Sequence, residues 1–220
     1  MTKDKDFIPS LKFHWLTRFY DPLVKRSVSI KRIKEALLLQ ANIKENNLVL
    51  DFGCGTATLT LMVKRQFPQA IVHGIDIDPE VLKIARGKVA DGGYNIILKN
   101  YDGIKLPYEN EEFHRVLSSF VFHHLDKRQK IRTLKEIHRV LKIGGQIHIA
   151  DFGKAKNILM RGTFIPIQIF DGLASTTDNV KGLLPQIIQE AGFDKVSQCK
   201  QINTMFGTVA LYKGVKYFSL

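Results

Sequence analysis

With 220 residues, a formal net charge of +12 and a pI near 9.7, the chain can bury one enzyme-sized core and is basic enough to be drawn to nucleic acid, anionic lipid or an acidic substrate. Hydrophobic residues at 45% and charged residues at 25% lie near globular averages, which excludes the disordered and fibrous classes. Cys54 and Cys199 are far apart, with no CxxC pair and no metal-ligand spacing, which excludes a disulfide framework and fits a reducing cytoplasm.

Residues 1–12 mix Lys3, Asp4, Lys5 and Asp6 and lack the basic-then-apolar order of an export signal, so a cytoplasmic protein is expected. Residues 9–40 read as two helical pieces broken near Pro22, with Phe13, Leu16, Phe19 and Tyr20 on one side of the first. They suit an N-terminal helical cap. From Asn47 onward, short runs rich in Val and Ile alternate with amphipathic stretches of helix length, the mark of strand-helix-strand units around a parallel sheet. Strands are expected at 48–52, 70–75, 95–99, 115–119 and 146–150. Helices are expected at 56–66, ending before Pro68, and from Pro79 to about 89. A further helix lies within 126–142, where seven Lys/Arg against two Asp/Glu form a solvated face opposite Ile131, Leu134, Ile137 and Leu141. The Gly144-Gly145 pair reads as the turn that stops it.

After Asp151 the alternation weakens. The most apolar stretch, 158–170, is interrupted by Arg161, Gly162 and Pro166 and is too short to span a bilayer, which takes about 20 apolar residues. A helix is expected near 181–190, then two runs at 195–199 and 208–212 that can pair as a terminal antiparallel hairpin. The fold class is thus α/β, a Rossmann-like, mostly parallel sheet flanked by helices. One domain covers 1–220, with a cap at 1–46, a ligand-binding core at 47–152, and a substrate-side segment with the terminal strands at 153–220.

The chemistry concentrates in VLDFGCGTA, where a buried strand runs into a turn with Gly53 and Gly55 and then into a helix. Such a corner lets backbone approach a nucleotide, and by itself it serves dinucleotides and S-adenosylmethionine alike. Asp76, ending the second strand in HGIDIDPE, is placed to accept hydrogen bonds from both ribose hydroxyls, while Asp78 is better placed to cap the next helix. Where a dinucleotide site has its third glycine this chain has Thr58, and the acidic Asp51 leading into the turn favours a ligand carrying ammonium over one carrying phosphates.

Together with YDGIKLPY, RVLSSFVFHHL and EIHRVLKIGGQIHIADF, these motifs resemble, in order and spacing, class I S-adenosylmethionine-dependent methyltransferases, and among them the small-molecule branch of ubiquinone/menaquinone biosynthesis. The resemblance implies S-adenosyl-L-methionine as cofactor. Gly53, Cys54 and Gly55 would line its methionine part with backbone, Asp51 would orient the amino group, and Thr56 would add a hydroxyl contact. Asp76 would hold the ribose, Ile77 pack on adenine, Asp102 take the adenine amino group, and Gly103 supply backbone beside the ring. Ser119 and Phe120 match the position closing over the donor methyl, and Tyr20 with Asp21 the pair that covers the cofactor from the cap.

His123 and His124 are weak candidates for a general base, and no metal site is expected. The acceptor is expected to be a small, apolar or aromatic molecule entering between the cap and residues 154–180, and to react by in-line displacement. If it is lipid-like, peripheral membrane contact follows. Nucleic acid is disfavoured, since no aromatic-basic stacking motif is visible. The alternatives are a nicotinamide-dependent oxidoreductase and a catalytically inactive S-adenosylmethionine-binding protein.

Overall fold

In β1 (Leu48–Phe52) successive side chains leave the sheet on opposite faces, and both faces are apolar: Val49 joins one buried cluster while Leu50 and Phe52 join another. A strand of this kind must be covered twice, so the computed structural model, which describes residues 28–217, has helices on both sides of its sheet. Residues 1–27 of the expected cap, with Tyr20 and Asp21, lie outside the described residues.

On one face α1 (Val28–Ala41) and α2 (Thr58–Gln66) contribute Ile33, Leu37, Leu59 and Val63. On the other, α4 (Lys127–Val140) and α7 (Leu184–Glu190) contribute Leu134, Ile137, Ile187 and Ile188. Between α2 and α4 in the chain, α3 (Pro79–Asp91) packs Ala85 and Val89 on Ala57 and Leu61. Local chemistry sets these helix starts. Pro79 opens α3 behind its cap Asp78, and α4 opens with a capping box in which Asp126 and Gln129 satisfy each other's backbone N–H groups.

The seven strands lie in the order β3-β2-β1-β4-β5-β7-β6, with β2 (Ile71–Asp76), β3 (Ile96–Asn100), β4 (Phe113–Ser119) and β5 (Leu141–Phe152) parallel to β1. β6 (Asp194–Thr204) and β7 (Gly207–Val215) form the expected terminal hairpin, and β7 inserts antiparallel between β5 and β6. From β1 the chain builds outward through β2 and β3, then returns to add β4 on β1's other side. That reversal leaves a crevice at the carboxyl ends of β1 and β4, where open α/β sheets bind ligands.

Three expectations are corrected. The helix expected at 56–66 begins at Thr58, because Ala57 takes a left-handed conformation (φ 60°) and keeps Thr56 in the turn. Gly144 and Gly145 lie inside β5 as a bulge: Leu141 pairs with Phe113 but Gln146 with Arg115, and the Gly144 N–H donates to the Lys216 carbonyl at 2.7 Å. The helix expected at 181–190 is split, since Gly182 at φ +74° ends α6 (Leu173–Lys181) before α7 begins. Residues 158–171, where periodicity was weak, form α5 (Ile158–Asp171).

Candidate active site

The corner after β1 turns on two glycines with left-handed backbone, Gly53 at φ +69° and Gly55 at φ +54°. Gly53 is doubly constrained, because a Cβ there would stand 2.3 Å from Cγ2 of Val121. The Gly53 and Cys54 N–H groups donate to the Ile75 carbonyl at 2.9 and 3.0 Å, which ties the corner to the end of β2. Cys54 is buried, and burial, with the nearby charges of Asp51 and Asp76, pushes its thiol well up. It is a packing residue, not a nucleophile.

Asp76 closes the other side of the corner. Its Oδ2 accepts the Gly55 N–H at 2.8 Å and its Oδ1 the Asp78 N–H at 3.0 Å. Burial raises this carboxyl, and those two N–H donors oppose the rise. Asp78 caps α3, accepting from Glu80 and Val81 at 2.9 and 3.3 Å, so Asp76 is not spent on capping. Each Asp76 oxygen keeps a lone pair for a hydroxyl donor. Asn100 holds the same residue from behind, its amide donating to the Asp76 carbonyl at 3.0 Å.

Asp51 is buried beneath the turn and accepts the Thr60 hydroxyl at 2.6 Å. Burial raises its pKa to about 6, against the pull of the Thr60 hydrogen bond and the charge of Lys34 on α1. Thr60 and Lys34 went unnoticed in the sequence, where each reads as an ordinary helix residue. Thr56 is half-buried, and its carbonyl accepts from Lys88 at 3.1 Å.

At the far end of the crevice, Gly103 (φ +79°) faces Ile77: a Cβ on the glycine would lie 3.8 Å from Ile77 Cγ2. Asp102 is exposed in the same loop, one oxygen accepting the N–H groups of Ile104 and Lys105 at 2.8 and 3.1 Å. Those hydrogen bonds hold its carboxyl below the ordinary range.

Ser119 ends β4 opposite Ala150 of β5, and the chain then turns sharply at Phe120, a non-glycine residue at φ +60°. Val121, next in the chain, is the side chain that covers Gly53, so the corner after β1 and the turn after β4 meet. The two histidines of the 3-10 turn Phe122–His124 separate in role. His124 is exposed, while His123 is buried with its Nδ1 2.7 Å from Oδ1 of Asp151. Their rings lie 3.9 Å apart.

Asp151 is itself fully buried and accepts the N–H groups of Phe122 and Phe152, each at 2.7 Å. Burial alone would raise its carboxyl, but the charge and hydrogen bond of His123, with the Phe152 N–H, bring it below the ordinary value. The Asn179 amide of α6 donates to the Phe152 carbonyl at 2.9 Å and secures the same strand end. Sequence reading missed Asp151; the available signal was a carboxylate ending a strand at the ligand-bearing edge of a parallel sheet. Among the described residues, no three His, Cys, Asp or Glu side chains are grouped to hold a metal ion.

The crevice therefore offers bare backbone at one end, a carboxylate with lone pairs for a hydroxyl donor in the middle and the apolar Ile77 beside Gly103 at the other, a set that fits S-adenosylmethionine. Residues 49–145 match the family described as methyltransferase domain. The chain is 27% identical to the ubiquinone/menaquinone biosynthesis C-methyltransferase UbiE of Bordetella avium, over 93% of this chain and 86% of that protein. It is also 27% identical to the demethylmenaquinone methyltransferase of Listeria monocytogenes, over 98% of each. Its fold matches that of Haemonchus contortus phosphoethanolamine N-methyltransferase 2, solved with S-adenosyl-L-methionine, at a TM-score of 0.74 and 15% identity, over 97% of this chain and 61% of that one. The nicotinamide reading is set aside: residues 49–145 are a methyltransferase domain, and the protein is an S-adenosylmethionine-dependent methyltransferase similar to the ubiquinone/menaquinone-biosynthesis enzymes.

Proposed function

We propose that the enzyme methylates a small apolar acceptor of the quinol type, at a ring carbon or oxygen made nucleophilic by loss of a proton. The observation that carries this reading is the aromatic group at the carboxyl edge beside a buried His-Asp pair: Phe152 packs against Phe120 and Phe164 at 5.5 and 4.7 Å between ring centres, and His123 lies 5.0 Å from Phe152. Nearly full-length similarity to relatives named for quinone methylation supports it.

When bound, S-adenosylmethionine supplies a methyl group already activated by its sulfonium, so the protein's work is to place and enclose. In this reading Gly53, Cys54, Gly55 and Thr56 line the methionine part and Asp51 orients its ammonium. Asp76 holds the ribose, Ile77 and Gly103 enclose adenine, and Asp102 accepts from the adenine amino group. Ser119, Phe120 and Val121 keep water from the methyl, with Tyr20 as a further cover. Fixing donor and acceptor in line can supply up to about 7–11 kcal/mol. His123, oriented by Asp151, accepts the acceptor's proton, a contribution worth about 10²–10⁴ in rate.

Labelled methyl donor incubated with a short-chain demethylated menaquinol is expected to give a ring-labelled product. His123→Ala should lower turnover by about 10²–10⁴ with donor affinity kept, and Asp76→Ala should abolish donor binding. Tight donor binding with no transfer to any quinol would reject the acceptor class while leaving the cofactor site standing.

A further inference from the structure

Helix α5 turns an apolar face outward. Ile158, Gly162, Ile165 and Ile169 recur at steps of four, three and four residues, hence along one stripe, and all four are exposed. The isoleucines are 91%, 47% and 70% accessible, although the opposite side of the helix buries Phe164 and Gln168. Met205, in the turn between β6 and β7, is 62% accessible. It stands near the helix, because Gly207 lies against Phe164 (a Cβ on it would be 3.2 Å from the Phe164 Cβ) and the Lys156 N–H donates to the Thr208 hydroxyl at 3.2 Å. Isolated exposed isoleucines need no explanation; three in register on one helix do.

The charge at the amino end of this stripe has one sign. Residues 154–170 contain Lys154, Lys156 and Arg161 and no Asp or Glu. Lys181, at the end of α6, joins them, since a Cβ on the next residue, Gly182, would stand 3.1 Å from the Lys154 Cβ. Lys154, Lys156 and Lys181 are exposed, and none forms an ion pair among the described residues. An apolar stripe with cations at its amino end, and a carboxylate only at the helix's last residue, Asp171, is complementary to an anionic bilayer: the lysines meet headgroups while the isoleucines reach the acyl boundary. No helix among the described residues is long and apolar enough to cross a membrane, so the contact would lie in the interface. α5 also follows β5 directly, which puts this face at the carboxyl edge of the sheet, on the side where the acceptor aromatics gather.

We propose that α5 is an interfacial membrane contact that docks the enzyme on anionic lipid, with the acceptor crevice opening toward the bilayer. The proposal rests on the reading of an apolar acceptor and adds the surface from which that acceptor is drawn. The full chain, mixed with vesicles of phosphatidylcholine alone or with phosphatidylglycerol added, is expected to co-sediment with the anionic vesicles. Ile165→Asp with Ile169→Asp should weaken this at least tenfold, as should Lys154→Glu with Lys156→Glu, and both variants should keep wild-type donor affinity and thermal stability.

Absence of vesicle binding, or binding indifferent to the two isoleucines, overturns the proposal. So does sedimentation velocity showing that the isoleucine variant merely converts a dimer to a monomer, which would make the stripe a contact between copies. RNA binding lost in the lysine variant, with no lipid binding, would assign the charges to nucleic acid instead. Transfer to a water-soluble short-chain quinol separates the two readings, because it survives if the membrane contact is wrong and is missing if the acceptor class is wrong.

Discussion

Asp51 carries two opposed demands that pH can separate. Its carboxyl titrates near 6 in the fold against an ordinary 3.8, because burial disfavours the charged form. A raised carboxylate pKa stabilises the fold below the unfolded value and loses that contribution as pH rises through the folded one. The free protein's stability is therefore expected to fall between about pH 4 and 6, by an amount on the order of 1–3 kcal/mol, with its melting temperature following. An ammonium ligand needs the ionised form, so donor affinity should weaken as pH drops below about 6. Asp51→Asn should flatten both trends in melts run with and without donor. Gly53→Ala combines a left-handed backbone cost of about 1–2 kcal/mol with the collision at Val121. Adding Val121→Ala should recover the collision's share of a urea-melt loss and leave the backbone share. Both glycines and Asp76 were legible in sequence because their chemistry is local. The His123–Asp151 pair was not, since 28 residues separate partners that meet only when β4 and β5 lie side by side.

Among the elements, α6 depends on a buried cation. The Lys130 ammonium of α4 is fully buried and donates to the Ser175 carbonyl at 2.7 Å and to Asp178 at 3.3 Å, both on α6. Burial lowers its pKa, with Asp178 opposing. Lys130→Met keeps the volume but leaves those acceptors without their donor, at a cost of roughly 1–3 kcal/mol. Hydrogen exchange should then quicken along 173–181, including the Asn179 that braces β5, while β1 and β2 stay protected. Uniform protection in the variant would show that α6 is held by packing alone. In sequence Lys130 belongs to a solvated basic face, and periodicity does not reveal that one residue of that face turns inward. Gly144-Gly145 misled for a related reason: a glycine pair marks a departure from regular backbone, and a strand bulge uses it as readily as a helix stop.

For the whole molecule, a donor that binds the fold and not the unfolded chain must raise stability. At a donor concentration a hundredfold above Kd the gain is about 2.7 kcal/mol, or roughly 5–10 °C for a chain of this size. Thermal shift with S-adenosylmethionine tests this directly, and Asp76→Ala should abolish the shift. The parallel direction of β1, β2 and β3, and of β4 and β5, could be read from the strand-helix alternation, because a crossover helix returns the chain to the same end of the sheet, whereas β3 joins β4 without a helix. The place of the final hairpin could not, since two adjacent β runs can pair on either edge. The structure puts β7 inside the sheet, along β5 from Gln146 to Phe152, with Tyr212 fully buried. This sets a condition on synthesis. Until the ribosome has released residues 207–215, β5 presents an unpaired apolar edge, and that edge holds Asp151. The corner built from β1, β2 and β4 can form on the nascent chain, but the edge that holds Asp151 must wait for a segment made after all five parallel strands, and chaperone protection is needed most in that interval.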